Sequence, residues 1–330
     1  MQFAYPPFTT NQSEQIASFG ESKLLEKIKE WLGETTPKSP HGMGDDCALL
    51  TFDSKKEICI TTDAISYGQH VDATLTPYEV GAKLIHRNLS DLAAMGAHPH
   101  SAVLAILSGP DLAFTWLEDF FYGARNASET YGLKIVGGDL STLDKGQFSA
   151  VLTLTGQCVH PKLRTTAKLN APLYVTGVLG GSILGKHYQF QPRLTEGAWL
   201  AAQADVHALM DITDGIGKDL QAFLNRTFSA ELNLSAIPIS EAAEELALNS
   251  HKDALEHAFC DGEDYELLFA LAPETNCADF ESRWNAQFPN LKLSKIGTLI
   301  PKHTNGVFID ANTKEGLKWT HGYQHWNEDV

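Results

Sequence analysis

The sequence predicts a mixed α/β (α+β) protein of two domains. Helix-period and strand-like segments alternate along its length, and a polar break near residue 160 separates two halves that each restart the pattern. A chain of 330 residues that is 43% hydrophobic can also bury two cores.

Residues 1–20 are polar and proline-bearing and read as a loosely held arm. ESKLLEKIKEWL (21–32) spaces its apolar residues three and four apart, which predicts a helix. EICITTDA (57–64) reads as a strand ending at Asp63. A helix over 77–96 opens at Pro77 and carries Lys83, Arg87 and Asp91 at four-residue spacing on one face. A strand (101–107), a helix (114–131), a strand running into a glycine turn (133–139) and a strand (149–159) complete the first half. After His160-Pro161, PLYVTGVLGG (172–181) restarts the pattern, followed by a helix near 215–227, the strand YELLFALA (265–272) and an aromatic ending, HGYQHW.

The formal charge of −16, with no basic block, argues against a nucleic-acid partner. The five cysteines form no CxxC pair, so neither a zinc site nor a disulfide framework is supported, and a reducing cytoplasm is expected. No leader-like segment and no apolar run of membrane-spanning length is present, so no membrane partner is expected.

The acids recur in short motifs: GDD (44–46), TTD (61–63), NLSD (88–91), GGD (137–139), DITDG (211–215) and GEDYE (262–266). Each alone is well explained as a turn or helix cap. Their number points instead to carboxylates gathered around cations, because two like charges about 4 Å apart repel by roughly 4 kcal/mol at an effective dielectric near 20. Oxygen donors without a cysteine or histidine cluster favour magnesium over zinc. Strand alternation points Thr61 and Asp63 to one face and Thr62 to the other, unless the strand end curls. In GGD the glycines let backbone amides approach a phosphate while Asp139 holds its metal. Asp211 and Asp214 precede a glycine that leads into a helix. GGSILGKH (180–187) is one residue short of a P-loop and is read as a packing turn. His70 and Arg164 are candidates for phosphate contact as well as ordinary structural and surface residues; Glu263 and Asp264 suit a turn cap, and Tyr323 and Trp326 suit either tail packing or stacking on a heterocycle.

Taken in order, GMGDDCALL, ITTDAISYGQHV, NLSDLAAMGAHP, IVGGD, PRLTEG, DITDGIGKDL, GEDYELLF and GYQHW resemble the thiamine-monophosphate kinase family, over about Phe19 to Trp326. Its superfamily includes aminoimidazole ribonucleotide synthetase and selenophosphate synthetase. The resemblance implies the two-domain aminoimidazole ribonucleotide synthetase-like fold, with an arm (1–18), an N-terminal metal, ATP and dimerisation domain (19–159) and a C-terminal domain (160–330). It implies ATP-dependent phosphorylation of thiamine phosphate to thiamine diphosphate by direct in-line transfer, with several Mg2+ ions and no phosphoenzyme. It implies a homodimer joined through the N-terminal halves.

By motif, Asp46, Thr61, Thr62, Asp63, Asp91, Asp139, Asp211 and Asp214 correspond to metal ligands. Tyr122, Gly138, Asp139, Arg164 and Thr213 correspond to ATP contacts, and His70, Glu263 and Tyr323 to thiamine phosphate contacts. No side chain is assigned as catalytic base. The chain departs from the family at Thr61 and Thr213, which keep the hydroxyl of a serine, and at Leu140, which loses one. The rival readings are another ATP-using enzyme of the superfamily and a catalytically silent binding protein. No reactive cysteine precedes Cys47, against the selenophosphate enzyme, and every acidic position is filled, against silence.

Overall fold

A computed structural model describes residues 3–44 and 47–323. Two compact units divide the chain, Met1–Leu92 with Ala97–Val159, and Ala93–Gly96 with His160–Val330.

The first unit contains α1 (Glu21–Leu32), β1 (Glu57–Ser66), α2 (Pro77–Met95) up to Leu92, β2 (His98–Ser108), α3 (Phe114–Tyr131), β3 (Lys134–Thr142) and β4 (Phe148–Cys158). The sheet order is β1-β4-β2-β3, so β1 and β3 are its two edges. β4 runs antiparallel to β1 and β2, whereas β2 and β3 are parallel and joined through α3. Alternation along β4 buries Phe148, Ala150, Leu152 and Leu154 on one face. The helices supply matching apolar stripes, Ile85, Leu89 and Leu92 on α2 and Trp116, Phe120 and Ala124 on α3. The opposite face leaves Ile60 70% and Val103 44% exposed.

The second unit contains β5 (Pro172–Thr176), α4 (Lys186–Gln189), α5 (Leu194–Ala202), β6 (Val206–Asp211), α6 (Ile216–Asp219), β7 (Phe228–Leu232), α7 (Glu241–Asn249), α8 (Ala254–Cys260), β8 (Leu267–Leu271), α9 (Cys277–Gln287), β9 (Leu293–Pro301) and β10 (Phe308–Asp310). Its sheet order is β10-β7-β9-β5-β8-β6. Every residue of β5 and β8 is buried, because both faces of the sheet are covered. Leu173 and Val175 join a core with Phe223 and Phe259, while Tyr174 between them stacks on Phe269 beside Phe280.

Several expected elements differ. The N-terminal arm is docked rather than loose: Thr9 N–H donates to Asp111 O at 3.0 Å, Ala113 N–H to Pro7 O at 2.7 Å, and Tyr5 Oη to Asp119 at 2.9 Å. β1 does not end at Asp63 but continues to Ser66. β3 does not turn at the glycines but runs through them, past a register shift opposite Ala102/Val103. The helix expected over 215–227 is only α6 and a 3-10 turn, because Asn225 and Arg226 take φ of 45° and 60°. The strand after GEDYE starts at Leu267, since Glu263 and Tyr265 have φ of 52° and 51°. Among the described residues no helix is long and apolar enough to cross a membrane.

Candidate functional site

In the first unit the acids lie along the seam between β1 and α2. Thr61 and Asp63 pair with Leu154 and Leu152 of β4, which places them on the helix-covered face. There Thr61 Oγ1 donates to Asp91 Oδ2 at 2.5 Å. Arg87 Nε lies 3.5 Å from Asp63 Oδ2, and Arg87 Nη1 donates to Ala64 O at 3.0 Å. One turn earlier, Lys83 Nζ donates to His70 O at 3.0 Å. The row Lys83, Arg87, Asp91 therefore meets the chain at His70, Asp63 and Thr61 in register.

Because TTD lies inside β1, the strand does not curl to aim all three side chains together. Thr62 faces the other side, where its Oγ1 donates to Leu152 O at 3.1 Å and accepts from Thr153 Oγ1 at 2.9 Å.

Gly138 and Asp139 lie on β3, the opposite sheet edge. Three strand spacings separate them from β1, about 14 Å at ~4.8 Å each. Asp139 accepts from Ser141 Oγ at 2.6 Å. A Cβ at Gly138 would lie 1.9 Å from Leu104 O, so close strand approach alone requires glycine there. Both residues line a cavity of ≈ 970 Å³ within this unit, whose other walls include Leu25, Ile28, Met43 and Val103. Tyr122 is not on that wall; it lies on α3 and donates to Glu118 Oε1 at 3.2 Å. Asp46, with Asp45, lies outside the described residues, as does Trp326.

In the second unit, DITDG and GEDYE are two sides of one backbone assembly at the end of β6. Glu263 N–H donates to Thr213 O at 2.7 Å, Tyr265 N–H to Ile212 O at 2.8 Å, and Ile212 N–H to Glu266 O at 2.9 Å. Gly262 makes this approach possible: its φ is +76°, and a Cβ there would meet Thr213 O at 2.7 Å. Tyr323 joins through its N–H, which donates to Asp214 O at 3.0 Å. Lys218 Nζ ties the two, donating to Asp214 Oδ2 at 2.6 Å and Tyr323 O at 2.8 Å. Asp211, Thr213, Asp214, Glu263 and Tyr323 are thus brought together. Arg164 is not among them. It is exposed in a loop whose Lys162 and Thr166 bond the carbonyls of Gln203 and His207, at the far end of β6 from Asp211.

Sequence reasoning missed the residues that hold this assembly. Asp219 Oδ2 accepts from both Thr213 and Asp214 N–H at 2.9 Å. Burial pushes its carboxyl up to about 7, and the charges of Asp214 and Asp211 add to the rise against the lowering effect of those amides. Glu266 is buried and accepts a bidentate pair from Arg193 at 2.9 and 2.8 Å, with Lys186 Nζ at 3.0 Å and Thr176 Oγ1 at 2.7 Å. Burial alone would raise Glu266, but Lys186 and Arg193 outweigh it and hold the carboxyl low. Asp264 is fully buried; burial pushes it up to about 7, against Lys186 and the Gly180 amide, whose N–H it accepts at 2.8 Å. The available signal was the arginine in PRLTEG and the alternating acids of GEDYE, which need a buried cation.

The same contacts dispose of the P-loop resemblance. Gly180 and Gly181 donate their N–H groups to Asp264 and Asp261, and Lys186 is held by Glu266 and Val178 O. The protein's own carboxylates fill the positions a nucleotide phosphate would need.

Among the described residues no group of three or more His, Cys, Asp or Glu could hold a metal ion. The donors come instead as hard-oxygen pairs, such as Thr61 with Asp91. That set suits Mg2+, which keeps waters and binds through one or two carboxylates plus substrate phosphates.

A family model, AIR synthase related protein, N-terminal domain, matches residues 44–158. The thiamine-monophosphate kinase of Rhodopirellula baltica is 35% identical over 304 residues, covering 89% of this chain and 94% of that protein. The Aquifex aeolicus thiamine-monophosphate kinase is 29% identical, covering 93% of this chain and 99% of its own. Among solved structures, thiamine-monophosphate kinase from Stenotrophomonas maltophilia K279a aligns with a TM-score of 0.71 at 27% identity, over 88% of this chain and 96% of that one. AaThiL complexed with AMPPCP and TMP aligns at 0.69 and 25% identity, over 92% and 97%. The E. coli hydrogenase maturation protein HypE shares the fold, at 0.68 and 17% identity over 84% and 92%.

Proposed function

The chain belongs to the thiamine-monophosphate kinase family, with its two-sheet AIR synthase-like fold, and we propose that it transfers the γ-phosphoryl group of ATP to the phosphate of thiamine monophosphate. The products are ADP and thiamine diphosphate. The observation that carries this reading is the β1–α2 seam, where Thr61 meets Asp91 and Asp63 meets Arg87. It offers oxygen pairs and fixed charge, and no activated nucleophile. In-line phosphoryl transfer asks for that arrangement, because positioning and charge neutralisation carry most of the catalysis.

The reaction is direct, without a phosphoenzyme. The acceptor is a phosphate that is largely ionised near neutral pH, so no side-chain base is required. Bound Mg2+ would neutralise the ATP phosphates and align the attacking and leaving oxygens. Thr61, Thr62, Asp63, Asp91, Asp139, Asp211 and Asp214, with Asp46, are the proposed ligands. Thr213 and Glu263 are held by the Gly262 turn, and this supports their placement toward ATP and thiamine phosphate respectively. Tyr323 is tied to the same assembly by Lys218, consistent with a thiamine phosphate contact. Gly138 and Asp139 on the ≈ 970 Å³ cavity support a nucleotide site, since that volume accommodates one. Tyr122 and Arg164 remain proposed ATP contacts on the family resemblance alone.

The reading includes a homodimer through the first unit. Ile58, Ile60 and Val103 are exposed on its uncovered sheet face, an apolar surface suited to a second copy. Thr62 and Asp139 lie on that face at opposite edges. A second copy lets edges from different chains share one ion site where one chain alone spans too far.

An ATP-consumption panel tests the function. ADP release with Mg2+ is expected with thiamine phosphate and not with free thiamine, formylglycinamidine ribonucleotide or selenide. Preference for either of the last two assigns the chain to another branch of the superfamily.

A further inference from the structure

Lys83 is fully buried in α2, and nothing in the transfer reaction as described uses it. Burying an ammonium is costly unless it is hydrogen-bonded, and Lys83 donates to the carbonyl of His70 at 3.0 Å. His70 closes a tight turn after β1. Its N–H and that of Gln69 both donate to Ser66 O, at 3.0 and 3.3 Å, and Gly68 N–H donates to Val71 O at 2.7 Å. In return, Ser66 N–H donates to the ring atom His70 Nδ1 at 3.1 Å. Ser66 is itself anchored to the neighbouring strand, its Oγ 2.8 Å from Ser149 Oγ.

The direction of that bond settles the tautomer. A backbone N–H can only donate, so Nδ1 must be the acceptor and the proton of the neutral ring sits on Nε2. The same bond disfavours the imidazolium form, in which Nδ1 would carry a hydrogen against the Ser66 amide.

We propose that Lys83 is a positioning residue for the acceptor substrate: by pinning the His70 carbonyl it holds the imidazole as a neutral Nε2–H donor for the phosphate of the acceptor. This rests on His70 contacting thiamine phosphate and adds how it does so. A neutral donor suits the task, because it hydrogen-bonds a phosphate oxygen without binding the product's extra charge as a fixed cation would.

The test combines Lys83→Met with long-range proton–nitrogen NMR of His70 in the wild-type protein. The variant is expected to raise KM for thiamine phosphate by at least about tenfold and to leave KM for ATP unchanged. A merely structural lysine would not separate the two. The wild-type spectrum is expected to show the proton on Nε2. An unchanged KM for thiamine phosphate in folded Lys83→Met, or a wild-type ring protonated on Nδ1, overturns the proposal. Should the variant fail to fold, a wild-type ring protonated on Nδ1 still overturns the proposal. A wild-type protein that does not phosphorylate thiamine phosphate refutes the functional reading instead, and the spectrum still judges the geometry.

Discussion

Thr61 Oγ1 donates to Asp91 Oδ2 at 2.5 Å, across the seam between an edge strand and the helix that covers it. The two residues are 30 apart in sequence. The seam works because two periodicities match. Every second residue of β1 faces α2, and every fourth residue of α2 faces β1, so Thr61, Asp63 and the His70 turn meet Asp91, Arg87 and Lys83 in reverse order.

Asp63→Asn is expected to lower kcat by about 100-fold or more, with little change in Tm. Its contacts with Arg87 are 3.5 Å long and its side chain is 33% exposed, so the ion pair is worth roughly 1 kcal/mol or less to the fold. Steady-state kinetics beside a thermal melt separates the two. Near-wild-type turnover in the folded variant would remove Asp63 from the proposed ligand set.

Gly138→Ala pushes a methyl toward Leu104 O, which would lie 1.9 Å away. β3 must then shift away from β2, at a cost of roughly 1–3 kcal/mol or more. Denaturant unfolding should show the loss, and binding of a non-hydrolysable ATP analogue should weaken with it. A variant as stable as wild type would mean that the strands are not packed this closely.

Ile60→Glu places a charge on the uncovered sheet face, where Ile60 is 70% exposed. Light scattering is expected to find a dimer for the wild type and a monomer for the variant. A wild-type monomer contradicts the dimer outright.

Much of the seam was legible from sequence. Alternation already put Thr62 opposite its neighbours, and the four-residue spacing already put Lys83, Arg87 and Asp91 on one helix face. What spacing could not give was which strand that face meets, since strand pairing is set by contacts distant in the chain. GGD was misread as a turn because glycine permits a turn and equally permits the close strand approach at Leu104. Asp219 and Glu266 were missed for a related reason: each supports another residue's backbone or charge, and nothing in their local sequence announces that partner. The short helix α6 was over-extended because the positive φ at Asn225 and Arg226 carries no glycine to signal it. β6, β7, β9, β10, α4, α5 and α7–α9 were not anticipated, being short or weakly patterned.

Asp264 should make the second unit pH-sensitive. Its carboxyl ionises near 3.8 in the ordinary state and is pushed up to about 7 by burial. The folded protein therefore holds this proton more tightly than the unfolded chain. The resulting stability is complete below about pH 4 and is lost as pH rises through about 7. Asp264→Asn is permanently neutral, so unfolding free energies at pH 5 and pH 8 should differ less in the variant than in the wild type. Equal pH dependence would place Asp264 in contact with solvent.

Arg193→Met removes both bonds of the bidentate pair and leaves Glu266 with Lys186 and Thr176. Breaking a buried pair typically costs about 3–5 kcal/mol, so denaturant unfolding should reveal a large loss. The surviving Lys186 contact should keep it toward the lower end. No measurable change would show that Arg193 does not neutralise Glu266.

The most direct test of the central claim is product analysis by chromatography of purified protein incubated with ATP, Mg2+ and thiamine phosphate. Thiamine diphosphate should accumulate one-for-one with ADP, and chelating the metal should stop both. ADP formed without thiamine diphosphate, or no turnover with Mg2+ present, would contradict the account.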